Sequence, residues 1–210
     1  MNETKTRILD AAECLLAGRG FAATSLRGIT ALAGVNLGAV NYHFRSKEAL
    51  IQAVFARRLQ PINQQRLAAL DACERRAGRR AVPLEALLRA FIGPVLKCGR
   101  EGCGFFKLMG RMYSEPSLDV QRIFTTELGE TVERFLHAFR RTLPHLGTEE
   151  LFWRLFFTIG SMAQVLAAGP LLRFISGEIC DPDDIGEAET QLVRFAAAGL
   201  AGAQEEMSNE

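Results

Sequence analysis

Apolar residues recur along this chain at three- and four-residue intervals, and strict apolar–polar alternation is nowhere sustained. That period predicts helices almost throughout and an all-α fold class. Ile8, Ala11, Ala12, Leu15 and Leu16 mark a first helix, which Gly18, Arg19 and Gly20 end. Phe21 follows as a buried plug. Thr24 stands ahead of Leu26, Ile29, Leu32 and Ala33, a second helix of about two turns that Gly34 stops. Asn36 caps a third helix, Leu37–Phe44, and Ser46 caps a fourth carrying Leu50, Ile51, Val54, Phe55 and Leu59. Two short helices joined by a tight glycine turn read as a helix-turn-helix. In that turn Gly34 supplies the positive-φ position, Val35 tucks between the helices, and Asn36 restarts the chain.

The third helix has an unusual composition. A helix built for burial carries larger side chains, and one built for solvent carries more charge. Gly38 and Ala39 are small enough to bring its backbone close to a partner. In a helix-turn-helix the second helix enters the DNA major groove, with its N-terminal residues at base edges. Leu37 then suits a thymine methyl, and Asn41 suits adenine or a phosphate. Tyr42 and His43 can donate to phosphate oxygens, and Lys47 adds a cation at the next helix N-terminus. Phe44 reads as core. Periodicity alone leaves Tyr42 and His43 open between core and contact.

Charge sharpens the reading. Residues 1–60 hold eight Lys/Arg against four acids, while the whole chain carries a net charge of only +1. A basic N-terminal third fits a local anionic partner.

Beyond residue 60 the pattern predicts a helical body. Leu84–Leu96, Gly104–Tyr113, Val120–Leu128 and Val132–Leu143 each have an apolar face. Phe91, Phe105, Phe106, Met109, Met112, Phe124, Phe135 and Phe139 form an aromatic and methionine-rich set. Such side chains line adaptable apolar pockets, and they also build ordinary helical cores. Arg89, Lys107 and Arg111 suit either an acidic head group or the surface. Leu155–Leu172 has 18 uncharged residues, close to a membrane span, but Thr158, Ser161, Gln164, Gly160, Gly169 and Pro170 interrupt it. We read it as an interface helix, with no membrane partner. Leu151, Leu155, Ile159, Met162 and Leu166 share one face there, beside small Gly160, Ser161, Ala163 and Ala167. Leu192, Phe195, Ala196, Gly199, Leu200 and Ala203 repeat the pattern in Thr190–Glu205. Two such helices per subunit suit a four-helix dimer interface, since two-fold symmetry lets a helix-turn-helix protein read a palindrome.

Enzyme signatures are missing. There is no GxSxG, no glycine-rich phosphate loop, no HExxH and no EF-hand loop. Histidines at 43, 137 and 145 have no metal-ligand spacing, and the five cysteines at 14, 73, 98, 103 and 180 include no CxxC. Neither a metal nor another cofactor is expected. Cys98 and Cys103 suit either a redox pair or idle thiols. With no signal-peptide pattern, a reducing cytoplasm is the expected location.

The stretch from Arg7 to Leu50 resembles the TetR family of bacterial transcriptional regulators. The resemblance rests on ILDAAECLLAGRGF, TSLRGITALAGV and NLGAVNYHFRSKEAL at these spacings. It implies a three-helix helix-turn-helix DNA-binding domain, residues 1–47, and a helical ligand-binding and dimerisation domain, residues 48–210. It places DNA contacts at Ser25, Arg27, Asn36, Leu37, Gly38, Asn41, Tyr42, His43 and Lys47. It also implies a homodimer on a palindromic double-stranded operator. The ligand is expected among Phe91, Phe105, Phe106, Met109, Met112, Phe135 and Phe139. Asn41 and Ala39 depart from the family's common aromatic and hydroxyl residues, which leaves the operator sequence open. GVNLGAVNYHF, SKEALIQAVFARRLQPIN and ELFWRLFF are similar to the PsrA-type branch of fatty-acid regulators, for which the ligand is an acyl-CoA or fatty acid. A sensor of another drug-like apolar ligand is the alternative within the family. A helical interaction module that does not use its helix-turn-helix on DNA is the competing class.

Overall fold

The computed structural model describes residues 3–100, Leu108 and residues 120–202, and every described element is a helix. Nine helices are found among the described residues: α1 Glu3–Arg19, α2 Leu26–Ala33, α3 Leu37–Phe44, α4 Lys47–Ala77, α5 Leu84–Arg100, α6 Val120–Thr142, α7 Thr148–Ala167, α8 Gly169–Ile175 and α9 Ile185–Ala201. The chain divides into two compact units, Met1–Gln65 with Glu101–Val132, and Arg66–Arg100 with Glu133–Glu210. Of the residues singled out above, Cys103, Phe105, Phe106, Lys107, Met109, Arg111, Met112 and Ala203 lie outside the described residues, as does the expected helix Gly104–Tyr113.

In the first unit α1 packs on α2 and α3. Ile8, Leu16, Ile29, Val40, Leu50, Val54 and Phe55 are almost fully buried, so each short helix is held by what its apolar stripe covers rather than by its own length. Phe21 is the expected plug: it is buried and stacks on Phe55 with ring centroids 6.1 Å apart. Glu13 is buried on α1 and is paired by Arg57 at 2.5 Å and Arg58 at 2.9 Å, while Arg57 also reaches Asp10 at 2.6 Å. The charge on Glu13 is therefore carried inside the unit by two guanidinium groups.

The caps follow the sequence with one change. Gly20, at φ 86°, ends α1, and Gly34, at φ 63°, ends α2 in a Schellman turn, with Val35 N–H donating to Thr30 O and Gly34 N–H to Ala31 O. Asn36 Oδ1 accepts from Ala39 N–H at 2.9 Å, and Ser46 Oγ accepts from Ala49 N–H at 3.1 Å. The cap of α2 is Ser25, whose Oγ accepts from Gly28 N–H at 3.1 Å, and not Thr24. Thr24 is buried, and its hydroxyl donates to Gly20 O at 2.6 Å.

In the second unit α9 packs on α5 and α7 around Leu87, Leu88, Ile92, Leu151, Leu192, Val193 and Leu200. At Gly93 a Cβ would come within 3.2 Å of the Glu189 side chain, so glycine sets the close approach of α5 to α9. Arg89 also reaches Glu189, at 3.6 Å, which assigns that cation to an ion pair between the two helices. Arg134 on α6 ties to Asp71 and Glu74 on α4 at 2.7 and 2.9 Å. Residues 120–142 form one helix rather than the two segments expected, because Gly129 is accommodated inside it. No single helix among the described residues is long and apolar enough to cross a membrane, and α7 and α8 meet at a 78° bend.

Candidate nucleic-acid interface

Helix α3 is anchored by one stripe and open on the other. Val40 and Phe44, one turn apart, are 1% and 6% exposed. Phe44 is core, as its place in the pattern predicts. The opposite face shows Leu37, Gly38, Asn41 and Tyr42 to solvent, with Tyr42 at 84% exposure. An isolated eight-residue helix is marginal in water. Here it is fixed by its buried stripe and its Asn36 cap, which leaves the outer face rigid and uncommitted.

The expected contact residues fall into two groups. Ser25, Arg27, Asn36, Leu37, Gly38, Asn41 and Tyr42 are all exposed at the start of α2 and along α3. Two of these also do structural work. Ser25 Oγ and Asn36 Oδ1 are occupied as cap acceptors, so what each has left for a partner is its donor: the Ser25 hydroxyl hydrogen and the Asn36 amide. The second group is held inward. His43 is half-buried, with Tyr42 edge-on to its ring at 5.1 Å. Lys47 Nζ donates to Phe21 O at 2.6 Å, so this ammonium ties the start of α4 to the loop after α1. An ammonium has three donors, and two remain.

Sequence reasoning missed Arg7. Its Nη2 donates to Ala33 O at 2.5 Å and Gly34 O at 3.0 Å, which fastens α1 to the carbonyl end of α2. The spacing from Arg7 to the turn is long, and no local pattern reports it.

The residues expected to meet a ligand are only partly described. Phe91, Phe135 and Phe139 are buried together in the second unit, with centroids 5.1 Å apart for Phe91–Phe135 and 6.1 Å for Phe91–Phe139.

Residues 8–54 match the family described as bacterial regulatory proteins, tetR family, and residues 86–199 match the family described as tetracyclin repressor-like, C-terminal domain. The chain belongs to the TetR family. The first match covers the α1–α3 anchor and its open face, and the second covers more than half of the chain. Among curated relatives, the HTH-type transcriptional regulator TtgR of Pseudomonas putida is 46% identical over 52 residues, 25% of this chain and 25% of that protein. The chain thus matches only about a quarter of the length of that relative. Three solved structures share the TetR-family fold. FadR from Bacillus halodurans, a fatty acid degradation regulator, is 13% identical with a TM-score of 0.65, covering 97% of this chain and 98% of that one. FadR from Bacillus subtilis, in complex with stearoyl-CoA, is 13% identical with a TM-score of 0.60, covering 92% and 98%. SmeT, in complex with triclosan, is 22% identical with a TM-score of 0.57, covering 92% and 90%.

Proposed function

We propose that this TetR-family chain is a ligand-responsive transcriptional repressor, not an enzyme. In this reading it acts in the cytoplasm as a homodimer on a palindromic operator. The observation that carries the reading is the open face of α3, with Leu37, Gly38, Asn41 and Tyr42 outward and Val40 and Phe44 locked inward. Gly38 admits a close backbone approach, Leu37 meets a thymine methyl, and Asn41 reads a base edge or a phosphate. Ser25, Arg27, Asn36, Tyr42, His43 and the remaining donors of Lys47 hold phosphates and fix the register. Residues 1–47 serve as the DNA-binding domain and residues 48–210 as the ligand-binding and dimerisation domain.

The effector in this reading is a small apolar or acyl-type molecule, held in part by Phe91, Phe135 and Phe139. The stearoyl-CoA bound by FadR and the triclosan bound by SmeT support an apolar ligand, and the FadR likeness favours the PsrA-type fatty-acid branch. Such a ligand releases DNA only by binding one conformational state better than the other.

Fluorescence anisotropy tests the reading, with the palindromic DNA upstream of the chain's own coding region as probe. The expected result is binding that falls steeply with salt, as phosphate neutralisation demands, and that weakens on addition of a long-chain fatty acid or its acyl-CoA. Binding that ignores both removes the fatty-acid branch. Failure to bind both this probe and any sequence selected from a random pool removes the regulator reading in favour of an interaction module.

A further inference from the structure

Arg66 lies in phase with the buried stripe of α4. Ile62 and Leu70, one turn to either side, are 3% and 0% exposed, and Arg66 itself is 7% exposed. Its Nε donates to Phe91 O at 2.7 Å, and its guanidinium carbon sits 4.3 Å from the centroid of the Phe91 ring. That ring packs against Phe135 and Phe139. Among the described residues no carboxylate pairs with Arg66, and no acceptor meets Nη1 or Nη2. The other partly buried arginines are treated differently. Arg57 is paired with Asp10 and Glu13, Arg134 with Asp71 and Glu74, and Arg154 with Glu150. Arg66 is buried more deeply than any of these and has no acid among the described residues.

A cation taken out of water carries a large desolvation cost unless an anion and hydrogen bonds compensate it. One carbonyl and one aromatic face compensate only in part. Burial without an opposing acid pushes the Arg66 pKa down to about 10, which leaves it a cation at neutral pH. The free edge of the fork, Nη1 and Nη2, matches the two oxygens of a planar carboxylate. A thioester would present a neutral carbonyl there, and a polyphosphate would need more cations than one. The neighbouring phenyl rings suit a hydrocarbon.

We propose that Arg66 is the counter-ion for the carboxylate of an amphiphilic effector, with the apolar part of that effector on Phe91, Phe135 and Phe139. This rests on the second unit being the ligand-binding body, and it narrows the ligand class to monocarboxylates.

The test is calorimetric titration of the full chain, without DNA, at about pH 8, where carboxylic acids are ionised and Arg66 is charged. The probes are decanoate and 4-tert-butylbenzoate, each against its matched neutral alcohol, 1-decanol and 4-tert-butylbenzyl alcohol. A charge-assisted pair predicts that a carboxylate binds the wild-type chain about ten-fold or more tighter than its alcohol. R66M and R66Q should both abolish that preference while keeping the affinity for the alcohol. R66Q preserves a polar side chain in case R66M misfolds, and the helical circular-dichroism signal checks both. Equal binding of acid and alcohol by the wild type overturns the inference and leaves the ligand-binding body standing. So does a preference that survives both substitutions. Binding of none of the four probes overturns the monocarboxylate class together with the apolar-ligand reading beneath it.

Discussion

At the scale of single residues, exposure separates contacts from anchors. Tyr42 is 84% exposed and so adds little to stability. Y42A should weaken operator binding by about ten-fold, the worth of one good polar contact, with an unchanged melting temperature. Anisotropy and a thermal melt on the same preparation check both halves, and a lowered melting temperature would reassign Tyr42 to packing. Arg66 makes the opposite case. Burial lowers its folded pKa to about 10, below the ordinary guanidinium range, so the unfolded chain holds that proton more tightly. Stability then rises as pH climbs from about 10 towards the ordinary guanidinium range, and at neutral pH the penalty is present in full, on the order of 3 kcal/mol. R66M should therefore stabilise the ligand-free chain by about 1–3 kcal/mol, less than the penalty because the bond to Phe91 O is lost. A urea melt reads this directly, and a lower midpoint would mean that the carbonyl and ring contacts already compensate the charge. Arg66 was legible in principle: it is a charge standing in phase with Ile62 and Leu70. For Arg89 the sequence left a head group and the surface open and could not anticipate Glu189, because that partner arrives from a helix a hundred residues away.

At the scale of elements, the helix-turn-helix was legible because its signals are local. Gly34, Asn36 and Ser46 sit where the turn and the caps need them, and each is engaged as its chemistry requires. The choice of Ser25 over Thr24 as cap was not local. It depends on Thr24 finding a buried acceptor at Gly20 O, after which only Ser25 is free to cap. Helix length was equally opaque. α4 runs through Pro61, which cannot donate to Arg57 O, because Leu59, Ile62 and Leu70 keep one face buried on both sides of it. The turn offers the sharpest prediction at this scale. Gly34 has φ 63°, and a Cβ there would lie 2.7 Å from Arg7 Nη2, the group that fastens α1 to α2. G34A should cost about 1–2 kcal/mol by strain and by displacing Arg7. Operator affinity should fall with it, because α3 hangs from this turn. Equilibrium denaturation and anisotropy on the variant would show the two losses together, and an unaffected stability would mean that the Arg7 contact is dispensable.

At the scale of the whole molecule, the proposed dimer raises the question of which face of α7 would meet a second subunit. The helix carries large apolar residues on two faces, so period alone offers two stripes and cannot say which one turns inward. Of the stripe expected to dimerise, Leu151 and Met162 are buried within the protomer, 1% and 8% exposed, while Leu155, Ile159 and Leu166 are half-buried. What lies open is Phe152, Trp153, Phe156 and Phe157, between 50% and 64% exposed, with Phe195 on α9 at 66%. Trp153 stacks on Phe157 at 5.8 Å, and Phe156 stands edge-on to both, at 6.5 and 6.4 Å. Arg154, between them in sequence, turns back to the carbonyls of Gly199, Leu200 and Gly202 and so fixes the end of α9 against α7. A contiguous aromatic patch of this kind is far costlier to leave in water than scattered apolar residues, and it carries the composition of an interface core. F156E should therefore yield a monomer by light scattering at micromolar concentration. Operator affinity should drop by about a hundred-fold or more, because the two half-sites are no longer bound as one event. L151A, on the inner stripe of the same helix, should do the reverse: lower stability by about 2–5 kcal/mol with the mass of the assembly unchanged. If F156E stays dimeric while L151A dissociates, the inner stripe is the interface after all, and the packing of α7 against α9 would have to change on assembly.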